Sequence, residues 1–235
     1  MTTLNTILSV AESVGINDQR FIGQMVSRNQ RISTSEILTV QPFGFEIKPM
    51  SYLLYSQNRP LLSALRQADK ATEQYLNFGS TGWVNYIAYQ GQLSSAQIGS
   101  CQWQTSSAGK VLVLGALPAL GGGITSTTVI VRTGDFCQVG RYAYIATADV
   151  LRGSATGSGA TVNIPVHRSL ISTLASPVNA VIGQYGTTIA LGSGTFTGVT
   201  FCVILREYPT YTLVPMTNDS FISWNGTFKA FEAVL

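Results

Sequence analysis

GDFCQVGRYAYIATADVLRGSATGSGATVNIPVHRSLI, residues Gly134 to Ile171, decides what kind of fold this chain adopts. In its first half Tyr142, Tyr144, Ala146 and Ala148 alternate with Ala143, Ile145, Thr147 and Asp149. In its second half Val162, Ile164 and Val166 alternate with Thr161, Asn163 and His167. Alternation with a period of two marks strands with one buried face. Between the two runs, Gly153 to Ala160 contains only Gly, Ser, Ala and Thr. Such a segment has nothing to pack into a core and reads as a soft loop. The stretch therefore predicts a long β-hairpin with a flexible tip, an element suited to assembly rather than to catalysis.

The composition agrees with that reading. Of 235 residues, 45% are hydrophobic, enough to build a sizeable core, and only 11% are charged, against a usual share of about 25%. Ser, Thr, Gly, Gln, Asn and Tyr must then cover much of the surface, and interface cores are where charge is depleted. The net charge of +3 comes without any run of Lys or Arg, which leaves no basic stripe to grip nucleic acid. No apolar run reaches the roughly 18 residues of a membrane span, so no membrane insertion is expected. The opening MTTLNTILSVAESVG has no positive leader segment and contains Glu12, so it does not read as a signal peptide. Cys101, Cys137 and Cys202 are widely separated and read as reduced thiols of a cytoplasmically made protein.

Working outward, the sequence reads as one β-rich domain over 1–235, with 1–33 as an N-terminal helix and arm. Leu4, Ile7, Leu8, Ala11 and Val14 lie on one helical face, with Thr2 or Thr3 as cap and Gly15 as stop. Phe21 to Arg28 reads as a strand and Arg28 to Ser35 as a polar loop. Phe43, Phe45 and Ile47 alternate along an extended run whose Pro42 puts it at an edge or bulge. A second helix is expected from the N-cap Asn58 through Pro60 in the first turn, with Leu61, Leu62, Leu65, Ala68, Thr72, Tyr75 and Leu76 as its stripe. Asn77 to Gly79 stops it. Strands are then expected at Trp83 to Tyr89, Gln97 to Thr105, Val111 to Leu114, Thr127 to Arg132, Val178 to Tyr185, Phe196 to Leu205 and Tyr208 to Met216. Leu117 to Gly123 reads as a loop. Asn225-Gly226, between Ser220 to Trp224 and Thr227 to Val234, signals a hairpin.

Catalytic signatures are missing from the sequence. His167 is the one histidine, which rules out a His-rich metal site. A nucleophile needs a positioned base, and no motif joins His167 to Cys101, Cys137 or Cys202. His167 reads instead as a strand-end residue hydrogen-bonded locally beside Arg168. Gly121-Gly122-Gly123 lacks the Lys-Ser or Lys-Thr of a phosphate loop. The expectation is a non-enzymatic protein with no cofactor and no metal.

Gly134-Asp135-Phe136, Tyr144-Ile145-Ala146-Thr147, Arg152-Gly153 and Ile164-Pro165-Val166-His167-Arg168 resemble virion structural proteins of tailed bacteriophages. The closing YTLVPMTNDSFISWNGTFKAFEAVL is similar to the end of tail-tube-like proteins. The resemblance covers roughly the last hundred residues. It implies a mainly β fold, a tail-tube-like β-sandwich or split barrel, with one flanking α-helix, a short N-terminal helix and a long β-hairpin. It also implies a homo-oligomer, a ring of six or a trimer in a hub, contacting other tail proteins. Genomic DNA would pass through its lumen without specific binding. Placement would be the tail tube, the tube–baseplate junction or the distal tail of the virion, after synthesis in the host bacterial cytoplasm. The expected subunit interface comprises Tyr142, Tyr144, Arg152, Gly153, Val162, Ile164, His167 and Arg168. A reading of another class is a carbohydrate- or receptor-binding β module with Trp83, Trp103, Tyr86 and Tyr89 as stacking platforms.

Overall fold

The computed structural model describes residues 3–17, 22–26, 32–36, 42–67, 72–80, 85–104, 109–156, 160–171, 174, 177–192 and 194–234, with 22–26 and 32–36 as backbone. The fold is mainly β, in several antiparallel sheets with three α-helices among the described residues. Where the sequence reads as one domain, the backbone groups into two compact units. Met1–Gln74 with Val203–Leu235 form the first and Tyr75–Cys202 the second.

In chain order the first unit carries α1 (Thr3–Ser9), β1 (Ala11–Asn17), β2 (Ile22–Val26), β3 (Ile32–Glu36), β4 (Gly44–Pro49), β5 (Leu53–Leu54) and α2 (Tyr55–Gln67). There follow β6 (Glu73–Asn77), α3 (Ser95–Ser100), β7 (Gln102–Trp103), β8 (Val111–Gly115), β9 (Val129–Val131), β10 (Phe136–Val139), β11 (Tyr142–Ile145) and β12 (Val150–Leu151). Then come β13 (Val162–Pro165), β14 (Val178–Asn179), β15 (Val181–Ile182), β16 (Tyr185–Gly186), β17 (Ile189–Leu191) and β18 (Gly194–Phe196). The last strands are β19 (Thr200–Glu207), β20 (Thr210–Met216), β21 (Asp219–Asn225) and β22 (Phe228–Glu232).

The main sheet of the first unit runs β1-β4-β22-β19, antiparallel throughout. Its pleat sorts the residues as the sequence expects. Phe45 and Ile47 of β4 are buried while Glu46 and Lys48 face water, and Phe228 and Ala230 of β22 are buried. Leu4, Ile7 and Leu8 from α1 and Leu62 and Leu65 from α2 are buried in the same unit. Exposed Lys48–Glu12 (3.1 Å) and Lys229–Glu207 (3.0 Å) pairs lie on the sheet, where such pairs contribute little. A second sheet of this unit runs β20-β21-β5.

Both expected helices are shorter than their apolar stripes. α1 stops at Ser9, because Val10 turns back on Ile7 and Ala11 to Asn17 pair with β4. Sheet pairing there overrides the helical spacing of Ala11 and Val14. α2 begins at Tyr55, ahead of the expected cap Asn58, whose amide donates to the Leu54 carbonyl at 2.8 Å. It ends at Gln67, and Tyr75 and Leu76 lie on β6 instead. Phe21 to Arg28 does hold a strand, but part of the expected polar loop after it pairs as β3.

The second unit holds two four-stranded sheets, β11-β10-β15-β16 and β13-β8-β7-β14, and two short ribbons, β9-β12 and β17-β18. Its core gathers Trp103, Leu112, Leu114, Ile130, Val131, Cys137, Tyr144, Ile164 and Ile182. Gln138 is buried there with its amide fully engaged: Oε1 accepts from Thr200 N–H (2.7 Å), and Nε2 donates to Thr200 O (2.9 Å) and Gly140 O (3.1 Å).

The long hairpin expected over Gly134 to Ile171 is not formed. β11 folds back on β10 through Gly140, at φ +57°, and β13 pairs with β8. The two runs meet only at their ends, through the Ala146–Val166 bridge, Thr147 N–H to Pro165 O, and His167 N–H to Ile145 O. Between them Val150 and Leu151 leave to pair with β9. Other expected strands also change. Asn85 to Tyr89 is turn and irregular backbone, and Trp83 and Val84 lie outside the described residues. Ser95–Ser100 is helical because Ser94 and Gln97 form a reciprocal capping box. Asn225-Gly226 does not close a hairpin: β21 pairs back on β20, and Gly226, at φ +103°, swings the chain into β22 of another sheet.

Candidate assembly edge

A long hairpin does exist, at β20–β21. Seven residue pairs run from Thr210 with Asn225 to Met216 with Asp219. The two-residue turn is Thr217-Asn218, with Asn218 at φ +68°, a conformation Asn tolerates. β21 is covered on its far side by β5, through Phe221 with Leu54 and Ile222 with Leu53. β20 has no second neighbour among the described residues.

The helix α2 is tied to both strands of this hairpin. The Asp219 carboxylate accepts from the Ser56 hydroxyl (2.6 Å) and from Ser56 N–H (3.2 Å), and also from Ser220 N–H (2.7 Å). It thereby caps the first turn of α2 from a distant part of the chain. Those bonds, the Ser56 hydroxyl foremost, hold the Asp219 carboxyl below its ordinary range. At the other end of α2, Arg66 donates to the Tyr211 hydroxyl at 2.7 Å. Tyr211 in turn meets the Trp224 ring edge-on at 5.4 Å, and Trp224 meets Phe228 at 5.5 Å.

The free strand is apolar and uncharged. Leu213, Val214 and Met216 are 44%, 48% and 41% exposed, and Tyr208 to Met216 contains no charged residue. On the Val214 face, Val214 pairs with Phe221, whose ring meets Tyr52 at 6.0 Å. Tyr52 is 77% exposed and sits at φ +71°, a region that aromatic residues rarely occupy. Natural edge strands are usually blunted by charge or by proline; this one has proline only.

The residues expected to form the subunit interface lie elsewhere, in the second unit. Tyr142, Tyr144, Ile164, Arg152 and Arg168 are buried there, and Gly153, Val162 and His167 are half-buried. Arg152 donates to the carbonyls of Pro118 (2.8 Å) and Ala155 (3.0 Å), holding two loops together. Arg168 donates to Ala143 O at 2.7 Å and lies over the Tyr144 ring at 5.2 Å. His167 accepts from Ile145 N–H through Nδ1 at 3.0 Å, a partner remote in sequence rather than local. The buried side chains pack within the unit.

Of the aromatic platforms of the second reading, Trp103 turns inward and Tyr86 and Tyr89 are half-buried. Trp103 is fully buried with Nε1 donating to Gln138 O at 2.8 Å, and the Tyr89 hydroxyl bonds to Ile130 O. Trp83 lies outside the described residues. Burial pushes the Cys101 thiol up to about 11, and burial likewise raises Cys137.

The fold thus defines a mainly β chain with few helices, and among its open edges is that of β20, with Leu213, Val214 and Met216 exposed. No protein-family model and no curated protein matches it. The β20 edge is legible in the sequence as the extended run Tyr208 to Met216 with Pro209 and Pro215, whose lack of charge marks it as an open edge.

Proposed function

We propose that this chain is a non-enzymatic structural protein of a phage tail, building an oligomeric ring in the tail tube, the tube–baseplate junction or the hub. The observation that carries the reading is the uncharged, exposed edge of β20. Such an edge offers N–H and C=O groups to another chain, which suits a subunit of an assembly. The low overall charge and the resemblance of the last hundred residues to tail proteins support it further. In this reading the particle's genomic DNA passes through the ring's lumen without a specific site.

The test is light scattering of the purified chain across a wide concentration range, combined with electron microscopy of the intact particle. Concentration-dependent oligomers and tail density that this chain fits support the proposal. A chain that stays monomeric throughout, with no place for it in the tail, overturns it.

A further inference from the structure

We propose that β20 pairs with β20 of a second copy, antiparallel, about a two-fold axis at Thr212. The inference rests on reading β20 as an assembly edge, and it names the partner and the register.

The register follows from the hairpin. In a two-residue hairpin the closing pair exchanges hydrogen bonds, and hydrogen-bonded pairs then recur at every second position. Met216, Val214, Thr212 and Thr210 therefore turn their N–H and C=O groups toward β21. The groups of Pro215, Leu213, Tyr211 and Pro209 turn outward. Proline has no N–H, so the free donors of this edge are those of Tyr211 and Leu213 alone, bracketed symmetrically by Pro209 and Pro215.

That bracket suits one self-pairing. With Thr212 on the axis, Tyr211 of each copy faces Leu213 of the other, and each such pair exchanges both of its hydrogen bonds. Pro209 then faces Pro215, so the slots that lack donors fall together at the two ends of a fully bonded centre, where the strands can part. Centring on Leu213 also makes four bonds, but it sets the Pro215 ring against the Tyr211 carbonyl in a half-bonded pair at each end. The preferred register also stacks Tyr211 and Leu213 of both copies on one face, covering Leu213, which is now exposed. No residue from Tyr208 to Met216 is charged, so no like charges meet across the axis. A two-fold contact uses the same patch on both copies, whereas ring closure needs two different patches. This contact accordingly joins two copies edge to edge and leaves ring closure to another surface.

Thr212 and its symmetry mate form a non-hydrogen-bonded pair with Cα atoms about 4.5 Å apart, within disulfide reach. The full-length chain carrying Thr212→Cys, mildly oxidised, is expected to give a reducible dimer on non-reducing gels, while the unaltered chain gives none. Thr210→Cys and Val214→Cys should each fail alone and cross-link when mixed, since this register sets position 210 against 214. Thr212→Lys places two ammonium groups on the axis and should abolish the dimer in light scattering with an unchanged circular dichroism spectrum. No cross-link at 212, or a Thr212→Lys chain whose oligomers are the same size as those of the unaltered chain, overturns the two-fold contact and leaves the structural reading standing. A monomer under all conditions removes both. A 212-linked dimer from a chain that has no place in the tail supports the contact and removes the tail assignment.

Discussion

The Asp219 carboxylate and the Ser56 hydroxyl, 163 positions apart, share a hydrogen bond of 2.6 Å that caps α2 with a residue from the tip of the β20–β21 hairpin. The bond gives the hairpin a fixed orientation on its helix, which an edge strand needs if it is to meet a partner in one register.

Asp219→Asn tests that bolt through pH. The carboxyl is held below its ordinary value when folded, so its stabilising contribution is complete above the unfolded value of about 3.9. It is lost as pH falls through the lower folded value. At pH 7 Asp219→Asn should melt at a lower temperature than the unaltered chain, and the gap should narrow steadily below about pH 4. Thermal melts at a series of pH values check this; a gap independent of pH would refute the carboxylate's role.

Gln138 makes the corresponding test for the second unit. Its amide serves the N–H and C=O of Thr200 in a buried site. Gln138→Ala leaves both groups without partners, at a cost of about 1–3 kcal/mol each. Urea unfolding should show a lower midpoint, with Gln138→Glu restoring little, because a carboxylate can accept from Thr200 N–H but cannot donate to its carbonyl.

How far the sequence could be read depended on the range of the interaction. Phe43, Phe45 and Ile47 alternate, and they do lie on a strand with its apolar residues inward, because the pleat is a local property. Pairing is not local. β13 carries the alternation expected of it but joins β8 rather than the adjacent β11, and nothing in Val162 to Pro165 specifies that choice. Tyr75 and Leu76 fit a helical stripe and a strand equally well, and tertiary pairing chose the strand. α3 was within reach, since Ser94 and Gln97 spell its capping box. Five of the interface residues chosen from the opening stretch, Tyr142, Tyr144, Arg152, Ile164 and Arg168, are buried in the second unit, because alternating apolar residues mark burial before they mark assembly. β20, an uncharged strand with an open edge, lay in the closing segment.

Gly183 and Gly122 separate two reasons for glycine. Both sit near φ +58°, but a Cβ at Gly183 would lie 2.6 Å from Ile87 O and 2.8 Å from Tyr89 N, whereas one at Gly122 would meet open space. Gly122→Ala should cost only the left-handed penalty of about 1–2 kcal/mol. Gly183→Ala adds a clash with backbone that cannot rotate away, and should leave little folded protein. Soluble yield and melting temperature of the two variants, measured side by side, check the contrast; equal losses would contradict it.

His167 offers a choice between a structural and a chemical role. Its Nδ1 accepts the Ile145 N–H at 3.0 Å at the corner where β11 and β13 meet. A nitrogen so engaged cannot also take a proton from a nucleophile, so the imidazole acts here as an acceptor that joins two sheets. His167→Ala removes the acceptor and should destabilise the second unit by about 1–3 kcal/mol. Asparagine can place its side-chain oxygen near the position of Nδ1, so His167→Asn should recover most of that loss in urea unfolding while abolishing any imidazole chemistry. If His167→Asn matches the unaltered chain in stability and in assembly, the residue's contribution is the hydrogen bond. If it is as stable as the unaltered chain yet fails to assemble, the imidazole itself has a further duty and the structural account of His167 fails.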